Sequence, residues 1–172
     1  MKTLAALNSA SKEDAIAWFM QTCTASSWCE LMSEARPFSS VDSLQSCAAK
    51  IWQTMQKADF MEAFEGHPMI GDVSTLRAKY ANTKALASNE QSGTANTTEA
   101  TLEALHTGNL DYLNKHGFIF IICATGLSAE AMLEKLQARL PNETNIEMQT
   151  AANEQLKITQ LRINKALTPQ EN

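Results

Sequence analysis

Ser40-Val41-Asp42-Ser43-Leu44-Gln45-Ser46-Cys47-Ala48-Ala49-Lys50-Ile51-Trp52-Gln53-Thr54-Met55 is the stretch that decides the fold class. Leu44, Cys47, Ala48, Ile51, Trp52 and Met55 fall at i, i+3, i+4, i+7, i+8 and i+11, the repeat that lines one face of an α-helix. The same period runs outward in both directions. Ser11 with Asp14 reads as an N-cap and its partner, opening a helix with Ile16, Trp18, Phe19 and Met20. A short segment around Trp28 to Ala35 must stop near Pro37, because proline cannot continue a helix. Further on, a short helix is expected through Leu76 to Tyr80. Residues 81–97 are polar, and Ser88-Asn89-Glu90-Gln91-Ser92-Gly93 reads as a loop or a helix start. Glu99 to His116 puts Leu102, Leu105, Asn109 and Tyr112 on one face, with Gly117 as a C′ stop. Ser128 caps a helix carrying Met132, Leu133, Leu136 and Leu140, closed by Pro141. A final helix from about Glu143 to Leu167 carries Ile146, Ile158 and Leu161, and a frayed tail is expected from Thr168 to Asn172.

One segment disagrees. Phe118-Ile119-Phe120-Ile121-Ile122-Cys123-Ala124 is a continuous apolar run between Gly117 and Gly126, and by propensity it reads as a buried strand. A single strand among helices has no ladder to join, so its N–H and C=O groups need other partners. A ligand beside the segment is one such partner.

Bulk composition narrows the function classes. The 172 residues fit one domain with a proper core. Hydrophobic residues at 44% against charged residues at 19% describe a globular chain. A net charge of −5 argues against nucleic acid or an anionic membrane as the main partner. No run of about 18 apolar residues is present, so no membrane span is expected. Met1 to Asn8 lacks the apolar core of a secretory signal, and Pro169-Gln170-Glu171-Asn172 is not a peroxisomal C-terminus. Cys23, Cys29, Cys47 and Cys123 form no CxxC pair, which suits reduced thiols in a cytoplasmic protein.

The residues suited to chemistry are few. In Gly66-His67-Pro68-Met69-Ile70-Gly71-Asp72, Pro68 keeps His67 out of a helix and Gly66 frees the backbone before it. The imidazole is then presented from a stiff corner as a candidate acid/base, the alternative being a turn histidine that merely packs. Glu90-Gln91 combines an acceptor with a side chain that both donates and accepts, which suits a ligand with N–H and C=O groups. The commoner reading of such a pair is a first helical turn, where the dipole favours Glu. Arg162 lies one turn after Ile158; facing inward it needs an anionic partner, and facing outward it snorkels to solvent. His106 and His116 are ten apart, not at the spacing of a zinc pair. Cys123, inside the apolar run, reads as a packed thiol. GxSxG, P-loop and GxGxxG motifs are missing from the sequence.

Taken in order, four motifs resemble those of the OHCU decarboxylases, which act on 2-oxo-4-hydroxy-4-carboxy-5-ureidoimidazoline. They are His67-Pro68-Met69-Ile70-Gly71-Asp72, Asn89-Glu90-Gln91, Gly117 to Gly126, and Glu154-Gln155-Leu156-Lys157-Ile158-Thr159-Gln160-Leu161-Arg162. The resemblance covers about Ser11 to Leu167. It implies an all-α, single-domain helical bundle over residues 1–172, with one extended apolar segment near 118–124 threading between helices. It implies a homodimer without cofactor or metal, catalysing the last step from urate to (S)-allantoin after urate oxidase and hydroxyisourate hydrolase. By the same resemblance His67 is catalytic, Pro68 lines the site, and Glu90 and Gln91 bind substrate. Main-chain contacts fall near Ile122, and Arg162 completes the set. Two positions depart from the family pattern: Met69 stands where an arginine is common, and Ala87 where serine or threonine is frequent, with Ser88 adjacent. A non-catalytic helical binding protein and a related small-molecule lyase on the same scaffold are the competing readings.

Overall fold

Side-chain caps set most helix starts in the computed structural model, which describes residues 3–69 and 99–167. The expected helix at Leu76–Tyr80, the polar stretch 81–97 and the tail 168–172 lie outside those residues. Eight helices are present among the described residues, and no strand. The fold is all-α. No described helix is long and apolar enough to cross a membrane.

The described residues divide into two compact units. The first comprises 3–67, 121–123 and 150–167. It contains α1 (Leu4–Ser9), α2 (Lys12–Met20), α3 (Ser26–Glu34), α4 (Val41–Trp52) and α5 (Lys57–Glu65). Ser11 Oγ accepts from Asp14 N–H at 3.0 Å to start α2, as its sequence predicts. A capping box of Ser40 and Ser43 starts α4. The core is aromatic: Phe19 packs edge-on against Trp18, Trp28 and Phe38, with centroids 5.1, 5.7 and 6.5 Å away. Both central indoles are satisfied, Trp28 donating to the Ala48 carbonyl at 3.2 Å and Trp52 to that of Ala152 at 2.8 Å.

Two of these helices escape periodicity. α1 is too short to show a face. α5 hides behind its loop-like neighbours, yet Gln56 and Asp59 form a capping box and Phe60, Ala63 and Phe64 are buried at i, i+3 and i+4.

The second unit comprises 68–69, 99–120 and 124–149, with α6 (Glu99–His116) packed on α7 (Ala129–Arg139). α6 buries Leu102, Leu105, Asn109 and Tyr112, the face expected. A Cβ on Gly108 would lie 2.8 Å from Leu136 Cδ2, so glycine in mid-helix sets the approach of α7. Gly117 ends α6 with φ 77°, in the left-handed region. Ser128 caps α7 through Ala131 N–H at 3.1 Å.

α8 (Thr144–Ala166) is the longest helix and contributes to both units. Its apolar period misleads in one respect. Ile146 is 54% exposed, while the buried side runs through Met148, Ala151, Ala152, Gln155, Thr159 and Ile163. Three polar residues of this helix therefore sit at core positions, Glu147, Gln155 and Thr159.

The strand suggested by propensity at 118–124 is corrected by the structure. These residues form neither helix nor strand, because no second strand among the described residues offers a ladder. Phe118, Phe120 and Ile121 are buried as the apolar run requires.

Candidate active site

α5 delivers His67. The helix stops at Gly66, whose N–H turns back to Phe64, and His67 N–H bonds the same carbonyl at 3.0 Å. His67 is thus held at a bend just past the helix, the non-helical corner its sequence predicts. The reason for glycine at 66 is different from the one expected. Its φ is −71°, open to any residue. A Cβ there would overlap the Thr24 side chain, with Thr24 Cγ2 at 2.7 Å and Cβ at 2.9 Å. Close approach, not backbone freedom, excludes a side chain. Thr24 Oγ1 also donates to the Glu62 carbonyl at 3.1 Å. Ser26 N–H bonds the Glu62 carboxylate at 2.9 Å, and the Ser26 hydroxyl donates to the same group. The end of α5 is clamped by the loop before α3.

The imidazole meets α8. His67 Nε2 lies 2.5 Å from Gln155 Oε1, and Gln155 Nε2 donates to Thr159 Oγ1 at 3.1 Å. Burial lowers the pKa of His67 from its ordinary 6.5; the Gln155 bond opposes this and the Arg162 charge adds to it. The ring is consequently neutral near pH 7, the form that accepts a proton.

Arg162 lies seven residues beyond Gln155, on the same side of α8. It is half-buried, and its Nη1 donates to the Thr22 carbonyl at 3.2 Å. Among the described residues it has no carboxylate partner. Neither reading made from sequence describes it: it is anchored on a carbonyl, with a guanidinium whose other donors suit an anion.

The segment 121–123 meets the same helix. Cys123 N–H donates to Glu154 Oε2 at 2.8 Å, and Lys157 holds the other oxygen at 2.5 Å. Ile122, beside this anchor, is partly exposed. Among the described residues its main-chain N–H and C=O bond to nothing in the chain, so both are available to a ligand.

Of the residues singled out in the sequence, the structure brings His67, Arg162 and Ile122 into the first unit. Pro68 is exposed next to His67 in the chain, and Met69 is 44% exposed. Glu90, Gln91 and Ala87 lie outside the described residues. Glu154, Gln155 and Thr159 went unassigned by the sequence reading. Their signal is the recurrence of polar residues on the helix face that ends in Arg162.

The model of a known family, OHCU decarboxylase, matches residues 8–164. The chain belongs to that family. The "Uric acid degradation bifunctional protein TTL" of Arabidopsis thaliana is 35% identical over 144 residues, covering 83% of this chain. The chain spans only 44% of that relative's length. A 2-oxo-4-hydroxy-4-carboxy-5-ureidoimidazoline decarboxylase of Xenopus laevis is 29% identical over 141 residues, covering 78% of this chain and 79% of its own. Among solved structures, an OHCU decarboxylase crystallised in the presence of (S)-allantoin superposes with a TM-score of 0.70 at 30% identity. That match covers 91% of this chain and 98% of the other.

Proposed function

We propose that this OHCU decarboxylase family member is a carboxy-lyase that converts 2-oxo-4-hydroxy-4-carboxy-5-ureidoimidazoline to (S)-allantoin. The observation that carries the reading is the half-buried His67, held at the bend past α5 with its Nε2 2.5 Å from Gln155 Oε1. Family membership over residues 8–164 supplies the substrate.

The chemistry asks little of a protein beyond placement and a proton. As the bond to the carboxylate breaks, CO₂ leaves and its electron pair moves into the substrate's own conjugated ring nitrogen. The 4-hydroxyl gives up its proton and becomes the carbonyl. A proton added at the carbon bearing the ureido group, with one from solvent on the ring nitrogen that took the electron pair, completes allantoin, and the face of addition at carbon fixes the S configuration. His67 takes the first proton or delivers the second, a contribution worth about 10²–10⁴ in rate. Arg162 pairs with an anionic or carbonyl part of the substrate. The open main-chain groups of Ile122 meet its N–H and C=O groups. Glu90 accepts from the ureido N–H groups, Gln91 binds beside it, and Pro68 lines the site. The enzyme works as a cytoplasmic homodimer without cofactor or metal.

The test generates the substrate from urate with urate oxidase and hydroxyisourate hydrolase and follows circular dichroism. Rapid growth of the (S)-allantoin signal on adding the protein is the expected result. A slow decay to racemic product, unchanged by the protein, would overturn the reading.

A further inference from the structure

Gln155 is 1% exposed and Thr159 2% exposed, on a stretch of α8 where an apolar pair would pack without desolvating an amide. The amide is satisfied at both ends. Its Nε2 donates to Thr159 Oγ1 at 3.1 Å, and its Oε1 faces His67 Nε2 at 2.5 Å. The polarity of the chain follows: with the amide nitrogen donating to Thr159 Oγ1, the amide oxygen is the atom that faces the histidine. An amide oxygen carries no hydrogen, so the ring nitrogen facing it must.

We propose that Gln155 is a positioning residue: it holds the His67 ring proton on Nε2 and leaves the Nδ1 lone pair to exchange the proton with substrate. The inference rests on His67 being the proton-transfer group. A neutral imidazole offers one donor and one acceptor, and the bond at one nitrogen decides the role of the other. Gln155 also fixes the ring plane, so Nδ1 keeps one direction throughout the reaction. Thr159 acts one step further back by preventing the amide from turning over.

The test uses the full chain with ¹⁵N-labelled histidine, the His67 signals being assigned by their loss in His67→Ala. At pH 8, wild-type His67 is expected to show a protonated Nε2 and a bare Nδ1. Gln155→Leu should lose that fixed pattern, and its kcat should fall about tenfold or more, part of what acid–base catalysis supplies, with KM little changed. Gln155→Glu keeps an oxygen facing Nε2 and should restore the pattern. Thr159→Val should give a smaller loss of kcat than Gln155→Leu. A wild-type ring protonated on Nδ1, or a Gln155→Leu enzyme with wild-type kcat, would overturn the proposal. If Gln155→Leu does not fold, the wild-type and Gln155→Glu spectra decide alone. Full activity in His67→Ala would instead overturn the underlying assignment of His67, while the placement of the ring proton is still read from the spectrum.

Discussion

Each unit of the protein buries one polar network, and the two are built on opposite principles. In the second unit Glu147 is 0% exposed and saturated. It accepts from Arg139 Nε at 2.9 Å, Tyr112 Oη at 2.5 Å and Asn142 Nδ2 at 2.8 Å. Burial pushes its carboxyl pKa up, yet the bonds from Arg139, Tyr112 and Asn142 outweigh this and hold it below the ordinary value. Arg139 further covers the Phe120 ring at 4.5 Å. Both carboxylate oxygens are engaged within the unit. In the first unit the network of Gln155 and His67 is neutral, and it stops short. Among the described residues the imidazole has one nitrogen bonded, and Arg162 and Ile122 have donors or acceptors to spare. A closed charged network makes structure; an open neutral one makes a site.

That contrast is broken most sharply by substitution. His67→Ala should lower kcat about 10²–10⁴-fold at a smaller cost in stability, about 1–3 kcal/mol, from leaving the buried Gln155 oxygen without its partner. Glu147→Gln should do the reverse. It leaves Arg139, 13% exposed, without its counter-charge. Removing one partner of a buried pair costs about 3–5 kcal/mol, read by denaturant titration, with kcat per folded molecule unchanged. Gly66→Ala should affect both at once. The new methyl forces Thr24 aside, which costs about 1–3 kcal/mol as overpacking does, and it displaces His67, so kcat falls as well.

The pH responses of the two networks also differ in kind. Glu147 has a depressed folded-state pKa, so its stabilisation is complete above the unfolded value of 4.5 and is lost as pH falls through the folded value. The denaturation midpoint should therefore drop below pH 4.5, and Glu147→Gln should flatten that slope. His67 has a lowered pKa, and in its proposed role it works as the neutral base. The acid limb of kcat/KM should then lie below pH 6.5. A limb above 6.5 would mean that the charged form of the ring is the one in use.

Much of this was legible before any coordinates. The faces of α4 and α6 follow from apolar spacing alone, since those helices bury one stripe and expose the rest. The caps at Ser11 and Ser128 follow from hydroxyls placed before periodic runs. The corner at His67 follows from Pro68. What stayed hidden has physical causes. α1 is shorter than two turns. The run 118–124 has strand propensity but no strand to pair with, and a side-chain carboxylate takes one of its N–H groups. The role of Gly66 depends on Thr24, forty-two residues away in the chain, which no local pattern reports. Gln155 and Thr159 drew no role from sequence, because polar residues are usually exposed and no local pattern marks these two as buried. Their burial makes sense only with His67 opposite.

The most direct test compares wild type, His67→Ala and Glu147→Gln in one assay, following freshly generated substrate by circular dichroism with each protein's folded fraction measured in parallel. The expected result is (S)-allantoin formed rapidly by wild type and by the folded fraction of Glu147→Gln, and a folded His67→Ala that leaves the slow racemic decay unchanged. A His67→Ala protein that forms (S)-allantoin at near wild-type rate would contradict the account.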